Sequence, residues 1–490
     1  LLIFGAYPET IKRRHSDAPA LQDLLCLTLN LPHTAALHIL PFGPSDGDGG
    51  FAPRDWFAVE PAFGGWDDIR AIAHGRRVII DGIYNHVGLR HRWVEEFLTR
   101  GTGTHRLHVF PFQPHDAVKS PRGGSVFRRY SINDRTWWAW QTFSSCSVDV
   151  QLGDAEVQSA ISRHLQLLAS LGVWGIRLDG AAYFGKRLGE PHVHHPLAIQ
   201  YAKWISEEAD GYGLQVLPQL NCDTQGMSYG LALQGGSTPL WDYGFSAVLA
   251  LTVITGATTQ LVYHLKDTWE LPIPILRALR THDGILMKSP FLRASLRDAL
   301  CNAFARYDVF PRVIEGDPYE FNVSFPFLCS LGTDSTGMWR RLLTCTALLS
   351  CLPGWCYIYL PILYGFRPEV DEAVTSFSDP RSLNRISMPR EFIERVQLGG
   401  EHKRMLQNLE SCVRLRHEYN LDTKQPGDSI DMFGEAAVVL RRAGGRVTVI
   451  ANFSQYSAVA VPERLGRRSG GTGLDGVRVE PLDFGIWVAD

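Results

Sequence analysis

Acidic, amide, histidine and arginine side chains gather at the ends of short apolar runs in this 490-residue chain. Asp81, Asn85 and His86 follow one run, in IIDGIYNHV. Arg177 and Asp179 close another, in GIRLDGAAY. Gln219 and Asn221 close a third, in VLPQLN, and His282 and Asp283 a fourth, in RTHDGI. A lone Asp at a strand end is most often a helix cap. Several such clusters recurring in order are hard to read as caps together. Arg177 stands two residues before Asp179, which on a strand puts both side chains on one face. The fixed guanidinium charge is expected to lower the Asp179 pKa and keep the carboxylate ionised and nucleophilic.

The elements that must position these groups are legible as a rhythm. Apolar runs at 2–7, 36–40, 78–81, 175–178, 215–217, 240–245, 276–281 and 356–360 alternate with helical stretches such as 154–171 and 195–210. Strands alternating with helices predict an α/β fold with a parallel sheet. Eight repeats predict a closed (β/α)8 TIM barrel. Two connections are too long for a plain strand–loop–helix unit. Residues 88–150, rich in Gly, Pro, Arg and Trp, read as an irregular inserted subdomain after the third strand, and residues 286–317 as a second insertion after the seventh. Insertions after barrel strands sit on the face where barrel active sites are built. From 428 onward the pattern changes to half-buried alternating strands at 436–441, 446–451 and 458–461, after a helix near 401–419. The expected organisation is therefore barrel over 1–87, 151–285 and 318–427, insertions at 88–150 and 286–317, and a small antiparallel β-domain over 428–490.

Composition narrows the partners. The formal net charge is −3, which supplies no basic field for a nucleic-acid backbone. Thirteen Trp, 16 Tyr and 24 Phe can line a pocket with flat apolar faces that suit sugars, although most must be core. Nine Cys, an odd number without a CxxC pair, point to a reducing, cytoplasmic compartment. No secretory leader pattern is legible. Residues 342–366 carry no charge, but Pro353, Gly354 and Pro361 interrupt them. They read as a buried helix over 342–352, a tight turn and a buried strand, and not as a membrane span.

The motifs together resemble the α-amylase superfamily, glycoside hydrolase family 13, and within it the sucrose phosphorylase and glucosylglycerate phosphorylase branch. DxxxNH is present at 81–86, GxRxD at 175–179 and HD at 282–283. The branch signal adds HILPF at 38–42, DGDGGFAP at 46–53, GWDD at 65–68, PRxG at 121–124 and RxxNR at 381–385. The resemblance implies that Asp179 is a nucleophile forming a β-glucosyl-enzyme, and that Asp283 stabilises the transition state. It implies that His86 and His282 hydrogen-bond the donor glucose, that Asp48 and Arg381 close the glucose pocket, and that Phe51 and Tyr183 wall it. Arg122 aligns with a basic residue that reaches phosphate. Asp317 and Tyr319 fit the acceptor loop, and Asn221 faces the acceptor. The implied reaction is retaining phosphorolysis of a small α-glucoside (of sucrose, glucosylglycerate or glucosylglycerol type) to α-glucose 1-phosphate. Inorganic phosphate is the co-substrate, no metal or other cofactor is needed, and the chain is a monomer or homodimer without nucleic-acid or membrane partners. The alternatives are transfer to water or another sugar, and a non-catalytic sugar-binding homologue.

One position departs from the family. Retaining cleavage uses two carboxyl groups, a nucleophile and an acid/base, about 5–5.5 Å apart. Gln219 stands where the acid/base Glu is expected. An amide has nearly the same shape but cannot deliver a proton. Three accounts are open at the level of sequence: an introduced Glu→Gln change, a natural homologue with lost or altered catalysis, or another carboxylate, Asp223 or Glu208, in the role. Ser147 and Asn221 replace a Gln and a His common in the branch. The cluster His192, His194 and His195 lacks a further partner at metal-site spacing and reads as loop histidines of an acceptor channel. The glycosylation-like triplets at 322–324 and 452–454 carry no weight in a cytosolic chain.

Overall fold

The structure is a computed structural model that describes residues 1–12, 19–115, 118–233, 238–287, 294–368, 380–461, 465, 467–471 and 478–489. Eight strands form the central sheet: Leu2–Ala6, Ala36–Ile39, Val78–Gly82, Gly175–Leu178, Gln215–Pro218, Leu240–Asp242, Ile275–Ala278 and Trp355–Tyr359. Each hydrogen-bonds its sequence neighbour in parallel, and the first pairs with the eighth. The remaining seam lies between the fifth and sixth. There Trp241 donates its backbone N–H to the Leu220 carbonyl and accepts from Cys222, both at 2.9 Å, which closes the barrel. Nearly every strand residue is buried, as expected when a parallel sheet is covered on both faces.

The helices follow from capping and spacing. Asp154 accepts from the backbone N–H groups of Glu156 and Val157 and starts Ala155–Ser170, whose Val157, Ile161, Leu165 and Leu168 face the barrel. Asp334 caps Ser335–Cys351, and the turn after it feeds the eighth strand. The uncharged stretch at 342–366 takes in the second half of this helix, the turn, the eighth strand and a short helical turn over Leu360–Tyr364. No helix among the described residues is long and apolar enough to cross a membrane.

Three expectations need correction. The run at 240–245 is a strand only to Asp242; Tyr243–Thr255 is a helix capped by the Asp242 carboxylate. That helix is buried all round, so no amphipathic period marks its start. The insertion at 88–150 is less irregular than its composition suggests. Val109–Phe110, Arg135–Trp140 and Phe127–Ile132 form an antiparallel sheet, and His86–Gly88 pairs with Ser147–Asp149 beneath it. The third correction is electrostatic and concerns Asp179, below. After the seventh strand, Asp317–Phe321 pairs with both Ile285–Leu286 and Arg312–Ile314. The C-terminal antiparallel sheet runs in the order Ser429–Phe433, Ala437–Arg442, Val447–Asn452, Phe484–Val488, Arg467–Gly471. Arg442 ties it to the barrel side, ion-paired to Asp428 at 2.9 Å and donating to the carbonyl of Leu421 at 3.0 Å.

Candidate active site

The ends of the third, fourth, fifth and seventh strands open into one cavity of about 650 Å³. Every residue to which the family resemblance gives a catalytic or binding role lines it except Asp317, and Arg177 is also outside the lining. Arg177 lies beneath it. Asp317 sits on the exposed side of its strand, outside the lining, while its neighbours Tyr319 and Glu320 face in.

Asp179 follows the fourth strand directly. Its backbone N–H donates to the Gly82 carbonyl at 3.2 Å, and its Oδ1 lies 3.3 Å from the Arg177 guanidinium. Gly180 takes φ +60, the left-handed turn that carries the chain away from the carboxyl. Burial raises the Asp179 pKa, and Arg177 and His86 only partly offset it. Arg177 acts in the expected direction, but desolvation outweighs one shared guanidinium, so the net shift is upward and not the expected lowering. Arg177 is shared with Asp81, which His38 Nε2 also holds at 3.0 Å. Burial opposes the Asp81 charge too, yet His38 and Arg177 together bring its pKa down to about 2.

Asp283 follows the seventh strand. Burial works against its charge as well, but His282, Arg385, Arg381 and Arg177 hold its carboxyl far below the usual carboxylate range. Arg385 reaches Asp283 Oδ1 at 3.0 Å. His282 stacks on Phe51 with centroids 5.2 Å apart and planes 11° off parallel. Burial, with Arg385 and Arg177 nearby, takes the His282 pKa down to about 3, so the ring is neutral at physiological pH. His86 Nε2 meets the Phe51 carbonyl at 2.6 Å. Asp48 is clasped by Arg122 at 2.9 Å and Arg381 at 3.0 Å, with Arg385 at 3.7 Å. Tyr183 packs edge-on against Phe143, 5.0 Å between centroids.

Gln219 is the residue after the fifth strand. Its backbone N–H donates to Leu178, and its Oε1 accepts from the Gly180 N–H at 3.1 Å, beside Asp179. The two other carboxylates weighed for its role are otherwise engaged. Asp223 caps Thr224–Ala232 through the Gly226 N–H at 2.8 Å and accepts from Asn221 at 3.1 Å, although it lines the cavity. Glu208 lies outside the lining and accepts from Ser162. Of the histidine cluster, His194 lines the cavity, while His195 is a helix cap held by Glu190 at 2.6 Å. Among the described residues no group of three His, Cys, Asp or Glu is arranged to hold a metal.

Sequence reasoning assigned no role to Arg385, Tyr243, Phe143 or Glu320, all in the lining. Arg385 was visible as the second arginine of the RxxNR motif. Tyr243 was hidden by the misplaced strand end.

Residues 33–221 match the family model described as alpha amylase, catalytic domain. The chain is 26% identical over 419 residues to the sucrose 6(F)-phosphate phosphorylase of Thermoanaerobacterium thermosaccharolyticum, an alignment covering 78% of this chain and 81% of that one. It is 27% identical over 371 residues to the glucosylglycerate phosphorylase of Spirochaeta thermophila, covering 71% of this chain and 62% of that relative. The crystal structure of the sucrose 6F-phosphate phosphorylase from Thermoanaerobacter thermosaccharolyticum superposes with a TM-score of 0.76 at 20% identity, over 92% of this chain and 94% of the other. The barrel thus shares its fold with that phosphorylase, residues 33–221 match the alpha-amylase catalytic domain, and the chain is similar to sucrose 6(F)-phosphate and glucosylglycerate phosphorylases.

Proposed function

We propose that the chain is a retaining α-glucosyl-transfer enzyme that cleaves a small α-glucoside and passes the glucosyl unit to inorganic phosphate, giving α-glucose 1-phosphate. The observation that carries this reading is the pairing of two unlike carboxyls in one cavity. Asp179 touches a single shared arginine, while Asp283 is bound into a cationic cluster. Asp179, in its ionised form, attacks the anomeric carbon. Asp283 stays charged throughout and stabilises the oxocarbenium-like transition state. His282 and His86 hydrogen-bond the sugar hydroxyls. The Asp48–Arg381 pair bounds the glucose subsite, with Phe51 and Tyr183 as its walls. Arg122, on the rim beside Asp48, meets the incoming phosphate, and Tyr319 and Asn221 meet the acceptor. Gln219 leaves the proton of the departing oxygen to another group, or restricts turnover to leaving groups that need none.

The test follows products with and without phosphate from sucrose, glucosylglycerate, glucosylglycerol and α-glucosyl fluoride. Phosphate-dependent α-glucose 1-phosphate that vanishes in Asp179→Ala is expected. Full activity in Asp179→Ala defeats the mechanism. Absence of glucose 1-phosphate even in Gln219→Glu defeats the phosphorolysis. A second reading, a sugar-binding homologue without turnover, is favoured by Gln219 alone. It predicts sugar binding by calorimetry and no turnover after Gln219→Glu.

A further inference from the structure

The cavity holds one more buried carboxyl that the reaction above does not use. Glu320 lies on Asp317–Phe321, opposite Leu286 in the adjoining strand, and its side chain is 2% exposed although it lines the cavity. Its Oε2 lies against the backbone of Gly284, the residue after Asp283. A Cβ at 284 would come within 2.8 Å of that oxygen, so the glycine makes room for the carboxyl. Its Oε1 is met by Asn322 Nδ2 at 3.3 Å and by Arg312 at 3.5 Å. The other carboxyls of the lining are occupied. Asp48 is clasped by arginines, Asp283 is tied to Arg385, Asp223 caps a helix, and Glu315 pairs with Lys119 at 2.8 Å.

We propose that Glu320 is the acid of this site, supplying to the departing oxygen the proton that Gln219 cannot. The proposal rests on the glucosyl-transfer reading. In the first step the Asp179 carboxylate forms a bond to the anomeric carbon as the glycosidic C–O bond breaks, and the Glu320 carboxyl proton passes to the departing oxygen. In the second step the acceptor oxygen bonds the anomeric carbon, the ester to Asp179 breaks, and the acceptor's proton returns to the Glu320 carboxylate. The ionisable groups that face Glu320 are Asp283, Tyr319 and the guanidiniums of Arg280, Arg312 and Arg381. Burial dominates among them: it raises the Glu320 pKa, Asp283 adds to the rise, and Arg381 and Arg312 only partly oppose it. A carboxyl so placed keeps its proton to higher pH than an exposed glutamate.

The experiment compares Glu320→Gln, Asp223→Asn and the doubly changed Glu320→Gln/Gln219→Glu with the parent. Each is assayed on an alcohol-leaving glucoside and on α-glucosyl fluoride, whose leaving group needs little protonation. Glu320→Gln is isosteric, so its fold is retained. The expected loss on the alcohol-leaving glucoside is about 10²-fold or more, with a loss on the fluoride smaller by about ten-fold or more. The fall of kcat/KM with rising pH, set by Glu320 in the parent, disappears in Glu320→Gln, and Gln219→Glu restores activity in the double variant. Equal losses on both substrates, an unchanged pH profile, or the selective loss appearing in Asp223→Asn instead overturns the assignment. Failure of the parent to consume α-glucosyl fluoride defeats the glucosyl-transfer reading itself, and is distinguished from those outcomes by that substrate alone.

Discussion

Asp81→Asn is the perturbation whose size the structure allows to be worked most directly. Asp81 is buried between His38 and Arg177, and Arg177 in turn touches Asp179. A carboxyl held at about 2 against an ordinary 3.8 stabilises the folded chain by about 2 kcal/mol at neutral pH, at about 1.4 kcal/mol per pH unit. Because the folded value is the lower one, this stability is complete above the unfolded pKa and is lost as pH falls through the folded pKa. About half is gone by pH 3. Removing one partner of a buried pair typically costs about 3–5 kcal/mol, because the remaining charge loses its counter-ion. Here Arg177 keeps Asp179, so the loss is expected at or just below that range, about 2–3 kcal/mol at pH 7. Urea unfolding followed by tryptophan fluorescence measures it, with the parent and Asp81→Asn compared at pH 7 and pH 3. The gap between the two should narrow by about 1 kcal/mol on acidification. A difference below about 1 kcal/mol at pH 7, or one that does not narrow, refutes the account of Asp81 as the charged anchor of Arg177.

Two further outcomes follow from the geometry. Arg385→Met removes the guanidinium joining Asp283 to Asp48 and should weaken glucose binding by about 2 kcal/mol or more in calorimetry; unchanged affinity would remove Arg385 from the sugar pocket. Gly354 has φ +88 at the turn into the eighth strand, and a Cβ there would stand 2.1 Å from the Ile275 carbonyl oxygen. Gly354→Ala should therefore cost about 2 kcal/mol or more and visibly lower the melting temperature; an unaltered melting curve contradicts this.

Much of the fold was legible because local patterns agree with it. Six of the eight apolar runs end within one residue of an observed strand end, and those ending at 245 and 281 overrun by three, since short runs between capped amphipathic helices have few alternative readings. The run at 240–245 overran because Tyr243–Thr255 is buried on every side and shows no helical period. The three-stranded sheet inside the first insertion was obscured by its many charged and aromatic residues, which face solvent or a small separate core of Val126, Phe127 and Trp140.

The site divides along the same line. Which side chains stand at which strand ends, and that an amide occupies the position after the fifth strand, follow from sequence alone, because the residue after a barrel strand points to one known face. The charge state of those groups does not. Arg177 lies on the fourth strand and Asp179 directly after it, yet the sign of the Asp179 shift is decided by burial, to which Asp81, 96 residues from Arg177, adds. Arg385 meets Asp283 across 102 residues and the Asp48 carbonyl across 337. Glu320 is a plain loop glutamate in the sequence, and becomes a buried carboxyl only where its strand is laid against Gly284. Desolvation and Coulomb energy depend on distances through space, and those exist only once the barrel has closed.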